Sequence, residues 1–185
     1  MEKTIYIVRH CEAEGQSPHA DLTAKGVMQS AKLAEFFEDK QVDRIITSPF
    51  LRARMTAQPL SDTKGFYYEE DSRLAERTLS EHDFEDWLLK LEETFLDLNL
   101  AYEGGESSNE AMNRVCDVVD ELPDGSHTIL VTHGNLMTLL LRCFNERIGF
   151  NEWQALTNPD VYQVIQRDGE VDVKRIWKDG DGELA

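Results

Sequence analysis

The sequence predicts an α/β fold: a three-layer α/β/α sandwich around a mostly parallel sheet of about six strands with an antiparallel edge. Three observations carry that prediction. Short β-branched or aromatic runs at 5–8, 42–47 and 127–132 alternate with stretches of helical apolar spacing over most of the length. The pattern closes on two strand-like runs, Val161 to Ile165 and Val171 to Trp177, joined at Asp168-Gly169, a hairpin signal. Two of the strands also stop on ionisable residues, as expected at the carboxyl edge of an open parallel sheet, where ligands bind.

In chain order, Ile5, Tyr6, Ile7 and Val8 form a buried strand that ends on Arg9, His10, Cys11 and Glu12. A core strand ending in Arg-His must desolvate both side chains and find them partners, so the pair points to chemistry. Asp21 or Thr23 caps a helix that runs to about Asp39, with Val27, Ala31, Ala34 and Phe37 as its apolar face. The second strand, 42–47, is stopped by Ser48-Pro49, and Pro49 suits the first turn of a helix from Phe50 to Leu60 that carries Arg52 and Arg54. Phe66-Tyr67-Tyr68 is predicted as a third strand and Leu74 to Arg77 as a loop. From Asp83 to Leu98, the residues Phe84, Trp87, Leu88, Leu91, Phe95 and Leu98 define one helical face. Gly104 to Ser108 is a turn with Ser107 as helix cap, and Ala111, Met112, Val115, Val118, Val119 and Leu122 follow at helical spacing up to Pro123-Asp124-Gly125. The strand from His127 to Thr132 ends on His133-Gly134. Leu136 to Phe144 is apolar on nearly every side, hence a buried helix.

A chain of 185 residues fits one domain, 1–185, with a sizeable core. Hydrophobic residues at 41% and charged residues at 30% fit a soluble globular protein. A formal net charge of −17 makes nucleic acid and anionic membrane surfaces poor partners, and an anionic substrate needs a local cluster of cations. No apolar run reaches membrane-spanning length and the N-terminus has no signal-peptide pattern, so the expected location is cytoplasmic. Cys11, Cys116 and Cys143, odd in number and widely spaced, predict reduced thiols. Oligomeric state has no readable signal.

Two strands end in the same grammar, Ile7-Val8-Arg9-His10 and Leu130-Val131-Thr132-His133-Gly134. In a parallel sheet both ends lie on one edge, so His10 and His133 are expected as neighbours, with Arg9 beside them and Arg52 delivered from the segment after the strand at 42–47. Two arginines, two histidines and helix N-termini in one pocket describe an anion site, best suited to phosphate. A metal site is the competing reading of His10, Cys11, Glu12 and His133. Adjacent residues in extended chain point to opposite faces, and no ligand pair has metal-binding spacing, so no metal and no cofactor is expected. His19 and His82, in polar surroundings, are expected to face solvent. Arg54 and Arg77 are expected at the surface or in ion pairs.

Arg9-His10, Ser48-Pro49-Phe50-Leu51-Arg52-Ala53, Leu74-Ala75-Glu76-Arg77, Gly104-Gly105-Glu106-Ser107 and Val131-Thr132-His133-Gly134 occur in the order found in the histidine phosphatase (phosphoglycerate mutase-like) superfamily, which the sequence resembles from residue 5 to 134. The resemblance implies a metal-independent phosphomonoester hydrolase acting on a small phosphorylated substrate. It makes His10 the nucleophile that becomes a phosphohistidine, with Arg9, Arg52 and His133 holding the transferring phosphoryl group. Glu76 becomes the general acid. A neutral imidazole is a competent nucleophile near neutral pH, and cationic donors stabilise charge on the equatorial oxygens.

The sequence departs from the family at Cys11, where a glycine is usual; the thiol either narrows the pocket or, if exposed, brings sensitivity to oxidation. Gln16 stands where an asparagine is usual and can still donate an amide to phosphate. The segment after Glu76 lacks the family's glycine- and tryptophan-containing pattern. Substrate specificity is expected to lie between Gln16 and His19 and around residues 77 to 107. The alternatives are phosphoglycerate mutase-type phosphoryl transfer and a non-catalytic phosphate-ligand binding module.

Overall fold

In a computed structural model, residues 1–179 and 183–184 are described. The elements follow the predicted alternation: β1 (Lys3–Arg9), α1 (Ala24–Phe37), β2 (Arg44–Thr47), α2 (Leu51–Lys64), β3 (Glu69–Glu70), a 3-10 turn at Ser72–Leu74, α3 (Trp87–Leu96), α4 (Ser108–Asp120), β4 (His127–Thr132), α5 (Gly134–Phe144), α6 (Phe150–Gln154), β5 (Asp160–Arg167) and β6 (Glu170–Arg175). A short antiparallel pair, β7 (Lys178–Asp179) and β8 (Glu183–Leu184), follows. The main sheet has the order β3-β2-β4-β1-β5-β6. β3, β2, β4 and β1 are mutually parallel, whereas β5 runs antiparallel to both β1 and β6. The predicted α/β/α sandwich with an antiparallel edge is what forms.

Alternation along the strands builds the layers. Ile5 and Ile7 of β1 pack with Ile46, Leu130 and Val164 against Val115, Val118 and Val119 of α4 and Leu136, Leu139 and Leu140 of α5. Tyr6 and Val8 pack with Ile45, Ile129 and Val131 against Leu33 and Phe37 of α1 and Ala53, Ala57 and Leu60 of α2. Thr23 caps α1 through its hydroxyl, and Ser107 caps α4 in a reciprocal capping box with Glu110, both as read from sequence. The same register aligns the functional edge: Arg9 lies opposite Thr132, and Thr47 opposite Val131. His10 and His133 are therefore each one residue beyond a matched pair.

Three expectations are corrected. Phe66-Tyr67-Tyr68 is not a strand; Gly65, left-handed at φ 77°, ends α2, and pairing with β2 begins only at Glu69. Phe66 and Tyr68 spend their side chains against the α1/α2 core while Tyr67 is 94% exposed. The helix read over Asp83 to Leu98 is confined to α3. Its expected first turn is held as loop instead: Glu81 N–H and the Ser80 hydroxyl both donate to the Glu103 carbonyl, and Phe84 stacks edge-on against Tyr102. The thiols are the third correction. Cys116 of α4 and Cys143 of α5 are paired as a disulfide where these helices pack, leaving Cys11 free. Two valine-rich and leucine-rich helix faces in direct contact bring the sulfurs together in a way wide sequence spacing does not reveal.

Candidate active site

The parallel sheet delivers its chemistry at the carboxyl ends of β1 and β4. The His10 and His133 rings meet there edge to face, with centroids 5.1 Å apart. His10 Nδ1 lies 2.7 Å from the Cys11 carbonyl, and the Arg52 Nε–H donates to His10 Nε2 at 3.2 Å. Both bonds require the Nδ1–H tautomer, which leaves the Nε2 lone pair on the side of Arg52. Burial drives the His10 pKa down to about 3; the Cys11 carbonyl opposes this, and the charges of Arg52 and Arg9 reinforce it. His10 is thus a neutral base at neutral pH.

His133 is fully buried at the N-terminus of α5, and its Nε2 shares a 2.7 Å hydrogen bond with the Ser48 hydroxyl. Its Nδ1 has no partner among the described residues. Burial, then His10 and the two arginines, hold its pKa well below the usual range. The Phe50 ring stands edge-on to it at 5.0 Å.

The cations come from different elements. Arg52, in the first turn of α2, is 1% exposed, and its Nη1 donates to the carbonyls of Gln16 (3.2 Å) and Ser17 (2.9 Å). Arg9 makes two long contacts, each 3.4 Å, from Nη1 to the Leu156 and Thr157 carbonyls, while its Nε is unpartnered among the described residues. Its guanidinium lies across Gly134, where a Cβ would sit 3.0 Å from Nε, so a larger residue would push the cation aside. Burial lowers the pKa of both arginines, but a guanidinium stays charged.

Glu76, beyond the 3-10 turn, reaches the N-terminus of α5. Its Oε1 accepts from Arg77 N–H (2.8 Å) and Leu136 N–H (2.9 Å), and its Oε2 from Asn135 N–H (3.1 Å). Gln16 is exposed and borders a cleft of about 490 Å³ also lined by Arg9, Glu76, Gly134 and Asn135. All six residues singled out from the sequence therefore lie at one edge of the sheet.

Other expectations are met or revised around them. Arg54 pairs with Glu70 at 3.7 Å, and His19 and His82 are exposed, as read. Arg77 is not on the surface and, among the described residues, has no ion pair at bonding distance: it is buried, its Nε and Nη2 donating to the Glu106 carbonyl and its Nη1 to the Thr94 hydroxyl. Cys11 is fully buried in the α1/α2 core, its N–H donates to the Thr56 hydroxyl, and burial pushes its thiol up to about 12. It neither lines the cleft nor offers a reactive thiolate. Among the described residues, one cluster has metal-ligand proximity, Glu81, His82 and Glu103, all exposed; His10, Cys11, Glu12 and His133 form none.

The sequence reading missed four residues. Ser48 orients His133, and the Asn158 amide donates to the His10 carbonyl at 2.9 Å. Asn135 has a buried, unpartnered Oδ1, and Trp153 of α6 forms part of the cleft wall. Asn135 was within reach, being next to His133-Gly134. Asn158 and Trp153 arrive through a loop pinned by the fully buried Asp160, which pairs with Arg175 and accepts the Thr157 N–H; nothing local in the sequence announces that.

Fold and site together define an α/β protein that gathers a neutral, buried histidine, a second histidine and two arginines at the carboxyl edge of its parallel sheet. The profile of the histidine phosphatase superfamily (branch 1) matches residues 5–179, and the chain belongs to that superfamily. It is 28% identical over 186 residues to a Hydrogenobacter thermophilus protein provisionally named phosphoserine phosphatase 2, covering 91% of each chain. It is 30% identical to the probable phosphoglycerate mutase GpmB of Shigella boydii, over 82% of this chain and 77% of the other. Among solved structures, a mycobacterial glucosyl-3-phosphoglycerate phosphatase superposes over 100% of both chains with a TM-score of 0.76 at 22% identity, a likeness of fold.

Proposed function

We propose that the protein is a metal-independent phosphomonoester hydrolase that works through a phosphohistidine at His10. The observation that carries the reading is the Nε2 lone pair of a neutral, buried imidazole that meets the Arg52 guanidinium at 3.2 Å and lies in the field of Arg9. In the first step Nε2 attacks phosphorus, an N–P bond forms and the P–O ester bond breaks. Glu76, as the acid, gives its proton to the departing alkoxide. In the second step water attacks the phosphohistidine, its proton passes to the Glu76 carboxylate, and the N–P bond breaks to release inorganic phosphate and the free imidazole. Arg9, Arg52 and His133 donate to the equatorial oxygens in both steps, with Gln16 at the lip as a further amide donor. Nδ1–H, held by the Cys11 carbonyl, keeps the ring aligned as positive charge develops on it.

The relatives' names support phosphoryl chemistry, and the set His10, His133, Arg9, Arg52 and Glu76 supports turnover over mere ligand binding. What weighs against the mutase alternative is the cleft's cations: Arg9 is required by the phosphoryl group and Arg77 is turned inward, so a glycerate carboxylate finds no obvious partner. A broad phosphomonoester panel with His10→Ala as control tests the proposal. Phosphate release by the wild type and its loss in the variant are expected; full activity in His10→Ala overturns it.

A further inference from the structure

Beyond the phosphoryl pocket the cleft changes character. Arg9, Gln16, Glu76 and Asn135 give way to Leu79, Leu91 and two tryptophans, Trp87 and Trp153. Trp87 opens α3 and is 48% exposed; Trp153 closes on it from α6, with ring centroids 6.2 Å apart and planes at 85°. Phe150 stacks behind Trp153 at 5.5 Å, so that ring is backed and held. Leu91 is buried at the base of the wall. A half-exposed tryptophan packed edge-on against a second one in a cleft next to the catalytic groups gains little for stability alone, since its remaining apolar surface stays wet until something covers it.

Charge points the same way. Among the described residues, the cleft's cationic side chains are Arg9 and Arg77. Arg9 faces the phosphoryl group, and all three nitrogen positions of Arg77 donate to protein acceptors. A carboxylate on the leaving group would be desolvated without a partner, beside Glu76 and in a chain of net charge −17.

Resting on the phosphatase reading, we infer that the leaving group is an uncharged alcohol with a flat, apolar body, seated against the wall that the paired rings of Trp87 and Trp153 form together. This assigns the two tryptophans as specificity-determining residues. It also separates this chain's substrate from carboxylate-bearing esters such as phosphoserine and 3-phosphoglycerate.

The test compares substrates of similar leaving-group acidity, so that chemistry does not mask recognition: 2-(1-naphthyl)ethyl phosphate, ethyl phosphate, O-phosphoserine and 3-phosphoglycerate. The expected kcat/KM for the naphthylethyl ester exceeds that for each of the others by roughly 100-fold. Trp87→Ala and Trp153→Ala each lower the naphthylethyl-to-ethyl ratio by about tenfold, mainly through KM, whereas Tyr67→Ala, on a remote exposed aromatic, leaves that ratio unaltered. Trp87 is half-exposed, so its variant keeps the test open if Trp153→Ala fails to fold. A ratio near one in the wild type, or phosphoserine or phosphoglycerate as the preferred ester, overturns this inference and leaves the phosphatase reading intact. No turnover of any ester removes both.

Discussion

The depressed pKa of His10 makes a prediction about folding that does not depend on any substrate. In the unfolded chain a histidine titrates near about 6.5, whereas in the folded protein His10 binds a proton only at about 3. Between those values the unfolded state takes up a proton that the folded state refuses. The contribution of His10 is therefore neutral above about pH 6.5 and increasingly destabilising as pH falls toward 3. At pH 5 the unfolded chain gains about 2 kcal/mol from this site, against about 0.2 kcal/mol at pH 7. The figure at pH 5 is insensitive to the folded value so long as that stays below about 4. His10→Asn removes the titration while its amide can still donate to the Cys11 carbonyl. Urea unfolding of both proteins at pH 7 and pH 5 is the assay. The wild type is expected to lose about 2 kcal/mol more than the variant over that interval. His133, whose pKa is also depressed, adds a loss of the same sign to both proteins and largely cancels. Equal losses in the two, or an imidazole signal for His10 that titrates near 6.5, would show that the ring is charged or exposed and refute the reasoning.

Other perturbations read different parts of the site. Arg52→Lys keeps the charge but loses the fork that reaches His10 Nε2 and the Gln16 and Ser17 carbonyls, and kcat/KM is expected to fall roughly 100-fold in steady-state assays. Glu76→Gln should slow phosphoenzyme formation from esters of poorly acidic alcohols strongly while sparing its formation from 4-nitrophenyl phosphate, whose leaving group needs no proton; an equal loss in that pre-steady-state step for both would argue against a general acid. Ellman's reagent should leave Cys11 unmodified in the native protein and label it only on unfolding, because the thiol is fully buried and its pKa is pushed up to about 12. Exhaustive chelation should leave turnover unchanged, and vanadate should inhibit competitively; restoration of a chelated enzyme by added metal would contradict the mechanism.

The parts of this protein that could be read from residues alone are those governed by local pattern. Strand and helix periodicity gave the layers, and the repeated ending of two strands on histidine gave the site, because parallel pairing puts strand ends together without further information. Ser107 could be recognised as a cap because the capping box is a four-residue signal. What escaped depends on distant contacts. Arg77 reads as a surface charge until the Glu106 carbonyl and Thr94 fold over it. The first turn of the expected helix at 83 is helical by periodicity, yet Glu103 and Tyr102 hold those residues as loop. Trp153 lies 66 residues from Trp87 along the sequence, and only the packing of α6 beside α3 brings the two rings together in one cleft wall. Cys116 and Cys143 likewise meet only because α4 and α5 do.

The central claim is that His10 carries the phosphoryl group. Mixing the enzyme with a fast aryl phosphate, quenching in base within a few milliseconds and mapping the modified peptide by mass spectrometry tests it directly. The account predicts an acid-labile, base-stable phosphoryl group on His10, formed and consumed at rates no slower than turnover. Steady hydrolysis with no phosphoenzyme at any time, or with the label on His133 instead, would contradict it.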